Sequence, residues 1–149
     1  MFKRRAFAFV CAGILAAFPL GAQARGLSET ALAAWLQKYG TAWETFDPAA
    51  AGALFTADAT YQDVPFDPAM QGRAAIEEYW RTETADQSGV HFESKVIAVK
   101  GDTGVAHWSA SFKLKSTGAT ILLDGIFVLE FDKSGQCRAL REWWQVKTG

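Results

Sequence analysis

The 149-residue chain is half hydrophobic, holds six tryptophans, and balances 15 Lys plus Arg against 16 Asp plus Glu. Beyond the extreme N-terminus there is no run of basic residues, which excludes a nucleic-acid binder, since neutralising phosphates requires clustered cations. The length suits one domain with a single core.

Lys3, Arg4 and Arg5 precede an apolar stretch from Ala6 to Leu20 that closes on Ala22-Gln23-Ala24, the pattern of a cleavable signal peptide with a small-x-small cleavage site. Residues 1–24 are therefore read as the signal, 25–149 as the working domain, and the destination as periplasmic or secreted. The apolar stretch falls short of the roughly 20 residues of a membrane-spanning helix, so no membrane anchor is expected. Lys3-Arg4-Arg5-Ala6-Phe7 loosely resembles a twin-arginine signal, which leaves both general and twin-arginine export open. Cleavage leaves 12 Lys plus Arg against 16 Asp plus Glu, with Cys137 as the remaining cysteine. No disulfide can then close within the domain, and Cys137 reads as a small packed side chain on a strand.

Ser28 is a candidate N-cap for a first helix whose residues Leu32, Trp35, Leu36, Tyr39, Trp43 and Phe46 recur at three- and four-residue spacing, the period of a buried helical face. Asp47-Pro48 supplies a cap and a first-turn proline for a short second helix through Leu54 and Phe55. Ala59 to Val64 alternates like a short strand, and a turn-rich stretch from Asp63 to Gly72 follows. A third helix is expected from Arg73 to Thr84, with Ile76, Tyr79 and Trp80 on its apolar side and a Glu77 to Arg81 pair on the other. From Val90 onward the period becomes two, predicting strands over 90–100, 104–115, 119–132 and 136–147, joined by turns containing Gly101, Gly118 and Gly135. Helices followed by an antiparallel meander imply an α+β fold: a cone-shaped, curved antiparallel sheet packed on three N-terminal helices, open at one end where a ligand would enter.

Polar residues at apolar positions are the informative ones, because burying them is costly unless they are satisfied. Asp124 interrupts the apolar run Ile121 to Leu129, which has the composition of a strand buried on both faces. Two readings follow: a desolvated carboxyl held protonated as a hydrogen-bond donor, or a partner of Arg138, Arg141 or His107 on a neighbouring strand. Gly125 beside it marks a bulge, a close backbone approach or a packing gap. Asp63 shares a strand face with Ala59 and Tyr61, and is either a carboxylate at the end of an apolar face or the start of the turn before Pro65. Tyr39 sits on the buried stripe of the first helix, where a phenol fills space and offers one donor. His91 and His107 lack a second His or Cys at ligand spacing, so no metal and no cofactor are expected.

The segments Leu54 to Asp67, Gln71 to Trp80, Leu123 to Asp132 and Leu140 to Trp144 resemble the nuclear-transport-factor-like superfamily, most nearly its SnoaL-like branch. The resemblance implies an α+β cone with a deep pocket and a homodimer formed through the outer face of the sheet. Within that superfamily the ketosteroid isomerases use a tyrosine on the first helix and aspartates at the end of the first strand and on the penultimate strand. Those motifs fall on Tyr39, Asp63 and Asp124, which implies a catalytic trio: Asp63 as general base, Tyr39 and a neutral Asp124 as donors to an enolate oxygen. Trp80 departs from the pattern, standing where a supporting tyrosine would bond the donor tyrosine. The side chains expected to hold a small apolar or aromatic ligand are Trp43, Tyr61, Phe66, Trp80, His107, Trp108, Phe127 and Trp144. The function read from the sequence is thus an exported pocket protein with isomerase-type chemistry. The alternatives are a non-catalytic periplasmic binder of a lipophilic metabolite, or a cyclase, dehydratase or hydrolase using Asp63 with His107.

Overall fold

The computed structural model describes residues 26–149, so the expected signal peptide lies outside the described residues. The chain forms α1 (Glu29–Glu44), α2 (Pro48–Ala53), β1 (Phe55–Gln62), β2 (Met70–Gln71), α3 (Arg73–Glu83), β3 (Gln87–Lys100), β4 (Thr103–Leu114), β5 (Thr120–Phe131) and β6 (Cys137–Thr148). Both predicted caps form: Ser28 Oγ accepts from Ala31 N–H at 3.1 Å and Asp47 Oδ1 from Ala50 N–H at 2.9 Å, each satisfying a backbone donor that the helix start would leave unpaired. Phe46 departs from the expected stripe. It turns the α1–α2 corner with a φ of 53° and stays partly exposed, so the buried face ends at Trp43. On α3 the ion pair of Arg81 is with Glu78 and not Glu77; the Glu77 side chain instead lies over the Cα of Gly52, holding α3 against α2.

The strands make one curved six-stranded sheet in the order β2-β1-β6-β5-β4-β3. β3 to β6 form the predicted antiparallel meander, and Gly101 takes a φ of 61° in the first of its turns, a conformation that a side chain disfavours. The sheet is mixed, however, because β1 runs parallel to β6. These two strands are joined by no turn, and the sequence carries no local signal for their direction. The two-residue β2, inside the stretch read as a turn, pairs with the outer edge of β1.

Residues at every second position of the meander, including Ala106, Trp108, Ala110 and Phe112 on β4 and Phe127, Leu129 and Phe131 on β5, pack against Leu32, Trp35, Leu36, Tyr39 and Trp43 of α1. The inside of the curve is therefore almost entirely apolar. Cys137 is buried in this layer, its thiol pushed up to about 12 by burial, as suits a packed side chain. Gly125 marks a close approach: an added Cβ would stand 2.7 Å from the Trp143 carbonyl oxygen and 2.9 Å from the Trp108 ring. That clearance lets the Trp108 indole lie flat across β5 and stack on Phe127, centroids 5.1 Å apart.

Candidate active site

The concave face does not close completely. Between α1, α3 and the sheet it leaves a cavity of about 220 Å³, walled by Trp43, Trp80, Trp108 and Phe112, with Ile121, Val146 and Glu83 around its mouth. Trp43 is pinned by its Nε1–H to Gln87 Oε1 at 2.7 Å, and Gln87 Nε2–H donates to the Glu83 carbonyl at 2.9 Å, so that wall is held by a bonded chain as well as by packing. Into this apolar space project Tyr39 from α1, Tyr61 from β1, Asp63 just past the end of β1, Tyr79 from α3 and Glu142 from β6.

Those polar groups are connected. The Tyr39 and Tyr61 hydroxyls lie 2.8 Å apart, and Tyr61 Oη–H meets Glu142 Oε1 at 2.6 Å. Glu142 in turn stands beside Asp63, because the parallel register of β1 with β6 pairs Gln62 with Arg141, and both carboxyls line the cavity. From the other side, the Trp144 indole Nε1–H donates to Asp63 Oδ1 at 3.0 Å and to the Asp63 carbonyl at 3.2 Å, fixing backbone and carboxylate together, and Tyr79 borders the same cavity. Hydrogen bonds thus run from Tyr39 on α1 through Tyr61 to Glu142, which stands beside Asp63.

The environment sets which of these groups carry charge. Glu142 is 4 % exposed, and burial raises its carboxyl well above the ordinary range. A hydrogen bond from Tyr61 offsets part of that rise and the charge of Asp63 adds to it. An anion shielded from water beside a second carboxylate is unfavourable on both counts, so Glu142 takes up a proton. Tyr39, Tyr61 and Tyr79 are raised likewise, first by burial and next by neighbouring carboxyl charge. All three phenols therefore remain O–H donors at neutral pH.

A model of the SnoaL-like domain matches residues 36–140. The chain belongs to the SnoaL-like family. A steroid Δ-isomerase of Nocardioides simplex is 31% identical over 97 residues, 65% of this chain and 76% of the relative. Among solved structures, a protein of ketosteroid isomerase-like fold from Catenulispora acidiphila, in complex with trimethylamine, superposes with a TM-score of 0.65 at 22% identity, covering 73% of this chain and 83% of its own. An epoxide hydrolase/cyclase-like enzyme of pyran ring formation in the polyether salinomycin superposes with a TM-score of 0.67 at 20% identity, covering 80% and 94%. The SnoaL-like domain here thus has the cone of the nuclear-transport-factor-like, ketosteroid isomerase-like fold expected from sequence.

Against this geometry the expected site residues separate. Tyr39, Asp63, Trp43, Tyr61, Trp80, Trp108 and Trp144 line the SnoaL-like cavity. Asp124 does not: it projects from the opposite, outer face of the sheet, its side chain 70% exposed, and pairs with His107 Nε2 at 2.9 Å. The apolar run around it misled because Leu122, Ile126 and Val128 line up on that same outer face, where Leu122 remains exposed, so the strand is not covered on both sides. His107 is placed outside with it, and an acid–base pair of His107 with Asp63 is ruled out by the intervening sheet. Phe66 stands fully exposed at the tip of the loop after Asp63. That loop is folded back by Gln62 Nε2–H, which donates to the carbonyls of Pro65 and Asp67, both at 3.1 Å. Phe127 is completely buried between Tyr39 and Trp108, one layer behind the cavity wall.

Of the five polar side chains that project into the cavity, two lie outside the set expected from sequence. Glu142 carried a readable signal, since it alternates with Leu140 and Trp144 on the inward face of the last strand, a carboxyl where an apolar residue belongs. Tyr79 falls on the apolar side of α3, and its spacing does not separate a packing ring from one that borders the cavity with Asp63. The partner of Tyr39 is Tyr61 on β1, while Trp80, at the position expected to support it, packs edge-on against the Tyr39 ring at 5.0 Å.

Proposed function

We propose that this SnoaL-like domain is an isomerase that moves a proton next to the carbonyl of a compact apolar substrate. The observation that carries the reading is the meeting of one carboxylate, Asp63, with phenols kept protonated by burial, in a single cavity walled by tryptophan. Asp63 takes a proton from the carbon beside the ketone, the electron pair moves onto oxygen as an enolate, and Tyr39 stabilises that oxygen by hydrogen bonding. Return of the same proton to a more distant carbon gives the conjugated isomer, with no net gain or loss of protons. Kinship with a steroid Δ-isomerase supports the reaction class.

Size narrows the substrate. A cavity of about 220 Å³ lies below the roughly 300 Å³ at which pockets begin to enclose drug-sized molecules, so a ligand of one or two rings is enclosed and a longer one projects through the mouth. The test is turnover of a two-ring β,γ-unsaturated ketone, followed by ultraviolet absorbance of the conjugated product. Asp63→Asn is expected to lower the rate by about 100-fold or more; full activity in that variant refutes the assignment of the base. Tight binding of the ketone with no product formed would favour the non-catalytic binder.

Two further parts of the reading concern the whole molecule. Residues 1–24 direct export to the periplasm or beyond, which predicts an exported protein beginning at Arg25 by N-terminal sequencing. A homodimer forms through the outer face of the sheet, supported by the exposed apolar side chains Leu122 and Trp143 there.

A further inference from the structure

Glu142 has one proton and two neighbours able to accept it. On one side lies the Asp63 carboxylate, on the other the Tyr61 hydroxyl at 2.6 Å, and beyond that Tyr39 at a further 2.8 Å. While Asp63 is an anion, Glu142 donates to it. Tyr61 then donates to Glu142 and Tyr39 to Tyr61, so every hydroxyl of the row points away from a ligand oxygen. Once Asp63 holds the substrate's proton, the demand at that end disappears and an oxyanion has formed at the other. The carboxyl of Glu142 turns its proton to Tyr61, Tyr61 turns to Tyr39, and Tyr39 donates to the enolate.

We propose that Glu142 is a positioning residue that couples the base to the oxyanion donor, reversing the row of hydrogen bonds when Asp63 becomes protonated. This rests on the proton-transfer reading above and deepens it. Asp63 gains the carbon-bound proton, the enolate keeps the electron pair, Glu142 stays neutral, and no proton leaves the row. The gain comes from a hydrogen bond made in the transition state and missing in the ground state, which is the kind that accelerates a reaction. It also explains a carboxyl at this position. An apolar side chain would break the row, and a permanently charged one, able only to accept, would lock Tyr61 and Tyr39 inward.

The titratable groups facing Glu142 are Tyr61 and Asp63 from β1 and its end, Tyr39 from α1, and Tyr79 from α3 with Glu83 behind it, while its cross-strand neighbour on β5 is the uncharged Phe127. The phenols lie above the ordinary tyrosine range, so within this cluster loss of the Glu142 proton is assigned the alkaline limb of activity.

Two readouts on the full domain decide the matter. The first is exchange of the α-protons of 2-tetralone for deuterium, followed by nuclear magnetic resonance across pH. Wild type is expected to lose rate at alkaline pH, Glu142→Gln to stay within about tenfold of it without that alkaline loss, and Glu142→Leu to fall about 100-fold or more. An unchanged alkaline limb in Glu142→Gln, or wild-type exchange in Glu142→Leu, overturns the proposal, with circular dichroism establishing that each variant folds. The second readout is the infrared carbonyl band of a carboxylic acid at neutral pH. It should vanish in Glu142→Gln and shift in both Asp63→Asn and Tyr61→Phe. A missing band in wild type overturns the proposal. A band that behaves as expected in a protein that exchanges no proton at any pH sinks the isomerase reading and leaves the bridge between Asp63 and Tyr61 standing.

Discussion

Replacing Glu142 by Gln should make the domain progressively more stable than wild type as pH rises, and the size of the effect follows from proton linkage. The unfolded chain releases the Glu142 proton near pH 4.3, the value of an unperturbed glutamate, whereas burial and the Asp63 charge hold that proton on the folded protein to a higher pH. Below about pH 4.3 both states are protonated and folding carries no penalty. Between that pH and the folded value the unfolded state alone gains from ionisation, so wild-type stability falls by up to about 1.4 kcal/mol per pH unit, levelling off once the folded carboxyl has also ionised. Each pH unit of this window is thus a sizeable part of the roughly 5 to 15 kcal/mol that holds a domain folded. Glutamine keeps an acceptor for Tyr61 and a donor for Asp63 but does not titrate. The remaining groups titrate in both proteins and largely cancel in the difference. Urea unfolding followed by tryptophan fluorescence, at steps of about one pH unit from about 4 to 8, gives that difference directly. If the two stability curves run parallel through the window, Glu142 does not carry a raised proton affinity and the electrostatic account of the site is wrong.

Tyr61→Phe keeps the ring but leaves the Tyr39 hydroxyl and the Glu142 carboxyl without their shared partner; a loss of about 1 to 3 kcal/mol in unfolding free energy is expected, and an unchanged melting temperature would show that the row is not formed. Gly125→Ala forces a methyl group against the Trp143 carbonyl and the Trp108 ring. Overpacking of that kind costs about 1 to 3 kcal/mol, and because Trp108 is a wall of the cavity, calorimetry should also show weaker binding of a two-ring ketone. Trp143→Arg, on the exposed outer face, should turn the proposed homodimer into a monomer by light scattering while leaving the folded circular dichroism spectrum intact; a mass unchanged from that of the wild-type dimer would move the interface elsewhere.

What the sequence made legible was whatever local chemistry decides. Ser28 and Asp47 announced their caps, the three- and four-residue spacing from Leu32 to Trp43 announced the buried face of α1, and glycine turns announced the meander. The parallel pairing of β1 with β6 was out of reach, since it joins segments about 80 residues apart with no connecting turn to constrain them. For the site, alternation gave the inward direction of Tyr61 and Asp63 correctly. Asp124 failed for a related reason: strand period two says which residues share a face, and whether that face is covered depends on how the helices pack. With the helices against Phe127 and Trp108, the even-numbered residues of β5 were left outside. Applied to β6, the same period marks Glu142 as inward, because Leu140 and Trp144 flank it at two-residue spacing. The apolar run around Asp124 is the more conspicuous pattern, yet its strand turns that carboxyl outward while β6 turns Glu142 inward.

A buried carboxyl also has to be accounted for energetically. Were the cone required only to enclose an apolar molecule, leucine at 142 would fill the space beside Phe127, remove the pH-dependent penalty and leave no carboxyl to satisfy. The chain instead carries a group that weakens the fold at neutral pH, and surrounds it with Tyr61 and Asp63 so that each bonding direction ends in the cavity. Proteins concentrate such costs where chemistry requires them. A binder would use the Glu142 proton only as a fixed hydrogen-bond donor, whereas the proposed proton transfer, which ionises a carbon and then stabilises the resulting oxygen, draws on it in each step. That difference is why the effects of Glu142→Gln and Glu142→Leu on proton exchange discriminate between the two readings more sharply than any measurement of affinity.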